Sequence, residues 1–306
     1  SMILPNVQLL KLHRWISVIF AAPLAVVIAT GLILSFQPVT QHLAIQKGAL
    51  SETRLVELIQ KHDPKGEARS LSIDAAQGLL SLAPVNGATV KIDLATGERS
   101  TAPESRMSAI YSQSRRIHEH LLFGLDPLVP LSTGAMLVLI AIGLLMGWPN
   151  YLRNDLTSWH KMTAWTLLPL MIISPLTGLA LTFNITFVEP LARAPALPLT
   201  KAVALTAGFT DPSHIQFIAN RGGRQIIRTM EDGAVKTYTP AGNGLRSMAP
   251  NWPRLIHEGN WAGLWSGGLN ALTAAAMILL MGTGLTMWLN RSFRRRKARI
   301  VPPTIA

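Results

Sequence analysis

The sequence predicts a membrane all-α four-helix bundle, built as two parallel repeats of helix–outer domain–helix, with two small α+β modules outside the bilayer. Three observations predict it. Only 14% of the 306 residues are charged and mean hydropathy is +0.30, whereas ordinary globular chains carry about 25% charged residues. Four runs, Trp15–Phe36, Pro127–Leu152, Met162–Val188 and Gly259–Asn290, contain no Asp, Glu, Lys or Arg and are 22, 26, 27 and 32 residues long. About 20 apolar residues cross a bilayer as helix. The chain also repeats itself: His13-Arg-Trp…Thr30-Gly-Leu-Ile-Leu-Ser-Phe36 recurs as His160-Lys-Met…Thr177-Gly-Leu-Ala-Leu-Thr-Phe183 at an offset of 147, and Arg115-Arg-Ile-His118-Glu119 recurs as Arg254-Leu-Ile-His257-Glu258 at an offset of 139.

In chain order, residues 9–37 form the first membrane helix, too long for a cleaved signal peptide. Residues 38–115 form the first outer module, with a helix over Glu52–Lys61, strands near Arg69–Ile73, Leu79–Ala83 and Thr89–Leu94, and a turn at Ala95–Glu98. Residues 116–152 carry His118 and the second membrane helix, and 156–188 the third. Residues 189–253 form the second outer module, with strands near His214–Ala219, Arg224–Met230 and Ala234–Tyr238, a hairpin turn at Glu231–Gly233, and no clear leading helix. Residues 254–290 carry His257 and the fourth membrane helix, and 291–306 are a basic tail.

Charge sets the orientation. Placing Lys11, Arg14, Arg153, Lys161 and the cluster Arg291–Arg299 inside puts 10 basic residues there against the single acid Asp155, a net of +9 out of the formal +12. By the positive-inside rule both termini are cytoplasmic and both modules lie outside, periplasmic in a bacterial inner membrane. A +12 chain might otherwise suggest nucleic acid as partner, but this charge is topogenic and the lipid bilayer is the partner it implies. The absence of cysteine excludes disulfides, Cys-ligated zinc, iron–sulfur clusters, thiol nucleophiles and c-type haem attachment.

Two repeats with the same orientation are related by a pseudo-two-fold axis along the membrane normal. His13 and His160 then share one depth at the cytoplasmic end, and His118 and His257 another at the outer end. Opposed imidazoles at one level match bis-histidine axial ligation of haem iron, so these four are the candidate ligands. Gly31 and Gly178 each follow the inner histidine by 18 residues, five helical turns or about 27 Å along the same face, leaving a surface free of side chains at the outer level; Pro23 and Pro169 are candidate kinks. Arg14, Lys161, Arg115 and Arg254 repeat beside the histidines and are candidate propionate partners. His42, His62 and His214 have no repeated partner. His120 adjoins His118, but its repeat position is Gly259. No acid–base or nucleophilic catalytic residue stands out, and the spans hold no acid that would line a transport path for metal ions.

The His13-Arg-Trp start, the strand and turn Val90-Lys-Ile-Asp-Leu-Ala-Thr-Gly97, and Ile-His118-Glu before the second span resemble PepSY-associated transmembrane proteins. More narrowly, the duplicated layout resembles the di-haem inner-membrane ferric-siderophore reductases of that family. The resemblance implies PepSY-like periplasmic modules and two non-covalent haem b groups on His13, His160, His118 and His257. It also implies a ferric siderophore as substrate and electrons from an unidentified cytoplasmic or membrane donor. The second module lacks the Asp-x-x-Thr-Gly turn. A relay to another periplasmic acceptor, and a non-redox PepSY scaffold or peptidase regulator, are the alternatives.

Overall fold

The structure, a computed structural model, describes residues 6–122, 124–188, 196–221 and 223–300. It divides into two compact units: Ser1–Leu34, Tyr111–Ile185 and Leu269–Ala306 form one, and Ser35–Ile110 with Thr186–Gly268 the other. The first elements are α1 (Asn6–Ser35), α2 (Gln37–Ala44), α3 (Glu52–His62), β1 (Ala68–Asp74), β2 (Leu79–Pro84) and β3 (Val90–Asp93). Then come α4 (Arg106–His120), α5 (Leu128–Leu145), α6 (Leu156–Thr166), α7 (Leu168–Thr182) and α8 (Leu199–Ala207). A 3-10 turn at Pro212–His214 leads into β4 (Ile215–Arg221), β5 (Arg224–Glu231), β6 (Ala234–Ala241) and β7 (Gly244–Ser247), and the chain ends on α9 (Trp252–Glu258) and α10 (Leu264–Ile300).

Three helical stretches, Asn6–Ala44, Leu128–Leu145 and Leu264–Arg294, are long and apolar enough to cross a membrane, and α6 with α7 makes a fourth if the pair, bent by 66°, is one broken span. The break has a local cause. Pro169 supplies no N–H to continue the ladder of α6, and its ring crowds the carbonyl four residues back, so the chain leaves the helix at Leu167 and restarts with proline in its first turn. Pro23 lies inside the unbroken α1. The five-turn register expected from His160 to Gly178 therefore does not hold, because the axis changes direction between them, whereas His13 and Gly31 do share one helix. The basic segment from Arg291 continues helix α10 as far as Ile300, and residues 301–306 lie outside the described residues.

In this unit Leu24 and Ile28 of α1, Met171 of α7, and Ala276 and Met277 of α10 form one buried cluster, with Met136, Leu139 and Ile140 of α5 packed around it. Buried hydroxyls among these helices are satisfied within their own turns. Thr30, Ser132, Thr133, Thr273 and Thr283 each donate to the carbonyl four residues back, so apolar surroundings leave no donor stranded. Trp148 and Trp165 stack with ring centres 4.2 Å apart at the end carrying Lys161 and Arg153, where an interfacial aromatic belt belongs.

The second unit overturns the expectation of two separate modules. All seven strands form one antiparallel sheet in the order β3-β2-β1-β4-β5-β6-β7. The halves join where β1 pairs β4, with Ser70 opposite Ala219, Leu71 opposite Ile218 and Ser72 opposite Phe217. The second half also has the leading helix that composition did not reveal: α8 packs beside α3, and both cover the same face. Leu55, Leu58 and Ile59 of α3, Ala202 and Val203 of α8, and Leu71, Leu80, Ile92, Ile218 and Ile227 of the sheet form one core. Two bonds stitch the halves further, from the Gly48 amide to Asp211 and the Leu50 amide to Ser213.

The turns follow from side-chain chemistry. Asp93 accepts from the Ala95 and Thr96 amides, and Gly97 closes that turn at φ +74, where a Cβ would meet the Arg54 guanidinium at 2.7 Å. Ser51 caps α3 by accepting from the Arg54 amide. At the β5–β6 hairpin Asp232 and Gly233 have φ of 52° and 74°, the left-handed pair that a two-residue hairpin turn requires.

Candidate functional site

The inner histidines come together. His13 of α1 and His160 of α6 face each other with ring centres 6.4 Å apart and planes at 87°. Imidazole nitrogens bind transition metals at about 2.0–2.1 Å, and each ring centre lies ~1.1 Å behind its nitrogen, so two imidazoles sharing one metal on opposite sides have centres about 6 Å apart. The observed centre-to-centre spacing is close to that value.

Their hydrogen bonds prepare the rings for such a role. The His160 Nδ1 lies 2.8 Å from the Thr283 hydroxyl. That hydroxyl spends its own proton on the Leu279 carbonyl at 2.8 Å, so it accepts, and Nδ1 carries the hydrogen. Nε2 is then the lone-pair nitrogen, the form a metal ligand needs. His13 lies beside the Leu139 carbonyl of α5 as His160 lies beside that of Leu280 on α10.

The same logic applies at the other end of α1. The His118 Nδ1 lies 2.9 Å from the Val27 carbonyl and 3.1 Å from the Thr30 hydroxyl, and Thr30 donates to Val26 at 2.7 Å. A carbonyl only accepts, so Nδ1–H points at α1. Gly31 is what admits the ring: a Cβ there would lie 3.1 Å from His118 Cε1. The side-chain-free surface expected at Gly31 is therefore filled, in this structure, by the histidine itself. Eighteen helical residues separate His13 from Gly31, so the two histidine levels stand about 27 Å apart along α1.

The remaining candidates are placed as follows. His257 lies half-buried on α9 in the second unit. Gly178 lies on α7, beyond the bend. Arg14 is half-buried next to His13. Lys161 donates to the Met146 carbonyl at 3.1 Å, where a cation satisfies the C-terminal carbonyls of α5. Arg115 pairs with Glu119 at 3.6 Å and Arg254 with Glu258 at 3.4 Å, so the repeat preserves an Arg–His–Glu face with an i,i+4 ion pair. His120 is exposed and bonds Asp126 at 3.0 Å. His62 faces the Gly97 carbonyl and His214 the Thr210 hydroxyl, while His42 lies on α2.

Thr283 and Val27 were not anticipated as partners of these histidines. Thr30 was visible only as part of the repeated Thr-Gly pair; Thr283 has no repeated counterpart, and a carbonyl has no sequence signal. Among the described residues, no group of three or more His, Cys, Asp or Glu forms a metal cluster. A facing pair of imidazoles suits a metal whose other ligands come from a macrocycle, as in haem. Residues 10–291 match the family model described as PepSY-associated TM region. No curated protein matches the chain.

Proposed function

The chain belongs to the PepSY-associated TM family, and from that premise we propose that it is a two-haem electron-transfer protein of the bacterial inner membrane that reduces siderophore-bound ferric iron in the periplasm. The observation that carries the reading is the His13–His160 pair, with its 6.4 Å spacing and the Nδ1-protonated form imposed on His160. His13 and His160 hold the inner haem b. The duplicated sequence is what assigns the outer haem to His118 and its repeat counterpart His257, and the bonds holding the His118 ring to α1 support that residue's part.

The haems, when bound, supply reversible one-electron chemistry. The chain's own residues fix everything else. Thr283, Val27 and Thr30 set the tautomer and aim of the ligand rings. Gly31 leaves space for His118. The apolar spans exclude water from the path between the two histidine levels, which lie ~27 Å apart along α1. The overall balance is one electron from a cytoplasmic or membrane donor and one gained by Fe(III), giving Fe(II), which hard oxygen ligands hold less tightly. No covalent step on the protein is required. In this reading the four spans form a pseudo-symmetric bundle, the basic residues face the cytoplasm, and the seven-stranded sheet stands in the periplasm.

The test is the absorption spectrum of the purified, haem-supplied protein before and after dithionite. About two haems per chain with a Soret band that sharpens on reduction is the expected result, and a colourless protein sinks the reading. His13→Ala or His160→Ala removes one haem, and His118→Ala or His257→Ala the other. If all four variants keep both, the ligand assignment is wrong.

A further inference from the structure

Between the end of α5 at Leu145 and the start of α6 at Leu156 the chain turns back just past an apolar stretch able to cross a membrane. This turn and the first residues of α6 enclose a cleft of about 210 Å³, lined by Trp148, Asn150, Arg153, Asp155, Thr157 and Lys161, with Ser158 behind them. All belong to one compact unit. The volume lies below the roughly 300–1,000 Å³ of sites for drug-sized ligands and cofactors, so the cleft suits a headgroup. Asp155 is the one acid among these lining residues, and it is engaged: it accepts from the Ser158 amide at 2.8 Å, capping α6, and pairs with Arg153 at 3.0 Å.

The cations keep donors beyond the bonds they make. Lys161 commits two of the three N–H of an ammonium to the Met146 and Gly147 carbonyls, at 3.1 and 3.5 Å. Arg153 meets Asp155 through one terminal nitrogen of a guanidinium that has five N–H. Asn150 accepts the Leu152 amide on its side-chain oxygen at 3.0 Å, which leaves its NH2 group for another acceptor. The lining thus carries two cations against one anion. Around it the chain shows apolar surface: Leu152 is 97% exposed and Trp148 68%, and Tyr151 and Trp159 are more than half exposed. Trp and Tyr just beyond an apolar span sit at headgroup depth, rings on the acyl side and polar edges outward. A soluble acidic partner would match the cations but not a leucine left almost bare beside Arg153. A basic pocket at the ends of membrane helices matches the phosphate of an anionic lipid.

We propose that this cleft holds the phosphate of an anionic phospholipid, with Arg153, Lys161 and Asn150 on its oxygens, Trp148 as its wall and Leu152 among the acyl chains. Lipid binding there requires no haem, so the inference stands apart from the proposed electron transfer. The full chain in detergent is titrated with phosphatidylglycerol and, separately, with phosphatidylcholine, and bound lipid is counted by native mass spectrometry, in which haem appears as its own mass increment. Wild type takes up one phosphatidylglycerol ahead of phosphatidylcholine, and added salt weakens the preference. Arg153→Gln, on an exposed side chain, lowers the affinity about fivefold, the effect of one surface charge, and adding Lys161→Gln lowers it about fivefold more. Lys11→Gln, the same charge change on an exposed position of α1 outside the cleft, leaves it unchanged. Inorganic phosphate at the same concentration does not displace the lipid. Equal uptake of the two lipids by wild type, which would leave the cleft to a soluble acidic partner, overturns the inference. So does unaltered affinity in Arg153→Gln, an equal loss in Lys11→Gln, or displacement by inorganic phosphate, which would assign the cleft to a free anion.

Discussion

Replacing Gly31 by alanine tests the geometry at the outer end of α1. The new methyl carbon would sit 3.1 Å from His118 Cε1 and 3.6 Å from Nδ1, where carbon atoms prefer about 3.5–4.0 Å. The imidazole must retreat by a few tenths of an ångström, and its retreat stretches the bonds to Val27 at 2.9 Å and Thr30 at 3.1 Å. The single Nδ1–H is shared between these two acceptors, so its loss costs about 1 kcal/mol in all, and crowding adds about 1–3 kcal/mol if the helices do not yield. Against this, alanine gains about 0.5–1 kcal/mol over glycine inside a helix. The net is a destabilisation on the order of 1–3 kcal/mol, with the ligand ring mis-aimed. Loss of support to a metal ligand typically weakens binding about 10–100-fold, so haem content falls from two per chain towards one while the inner haem stays. Gly134→Ala is the control, because a Cβ there meets nothing within 4 Å; it is neutral or mildly stabilising. Haem per chain by absorbance, and thermal unfolding in nanodiscs, are measured on both. If Gly31→Ala retains both haems and unfolds like Gly134→Ala, the His118 placement is wrong.

Thr283→Val keeps the volume of a buried residue but removes the acceptor for His160 Nδ1–H; haem retention should fall about tenfold or the reduction potential of one haem should shift, and an unchanged redox titration would refute the positioning role. Leu71→Ala removes a fully buried side chain at the seam between the sheet halves, costing about 2–5 kcal/mol; hydrogen exchange should accelerate together in β1–β3 and β4–β7, and acceleration confined to β1–β3 would show that the halves open independently. Glu231 has a side chain only 14% exposed. Its burial raises the carboxyl pKa, but hydrogen bonds from Lys236, Thr229 and Tyr238 outweigh it and hold the pKa below the ordinary value of 4.5. The stability it contributes is complete above that value and lost as pH falls through the lowered one, so wild type weakens below pH about 4.5 and Glu231→Gln shows a shallower acid slope. Identical slopes would remove Glu231 from that account.

The parts of the fold that the sequence discloses are those with local causes. Uninterrupted apolar runs mark α1, α5 and α10; Asp93, Thr96 and Gly97 mark their turn, and Asp232-Gly233 marks a hairpin. What escapes it is long-range. Nothing local to Leu71 or Ile218 says that two strands over 140 residues apart will pair, and α8, a nine-residue helix with one charged residue, gives little periodic contrast against the apolar span before it. The bend at Leu167 lies between these cases. Pro169 announces a possible kink, yet Pro23 stands in an unbroken helix, because neighbouring packing decides whether a missing amide is absorbed or the helix breaks.

The site shows the same division, and there it bears on function. The repeat pairs His13 with His160 because duplicated helices place equal positions at equal depths, and the structure brings those two rings to 6.4 Å centre to centre with their planes near perpendicular. It places His118 equally well along the chain, but not the reason its ring is held. Val27 acts through a carbonyl, which every residue possesses, and Gly31 acts through what it lacks. A histidine whose Nδ1–H is committed to a carbonyl or to a hydroxyl already donating elsewhere has only Nε2 left for chemistry. That His160 and His118 are both held in this state, by different partners on different helices, is hard to attribute to shared ancestry alone, since Thr283 has no repeated counterpart. The common feature is the Nδ1–H bond made by each ring, and it is the orientation that the proposed haem-ligand role asks of both.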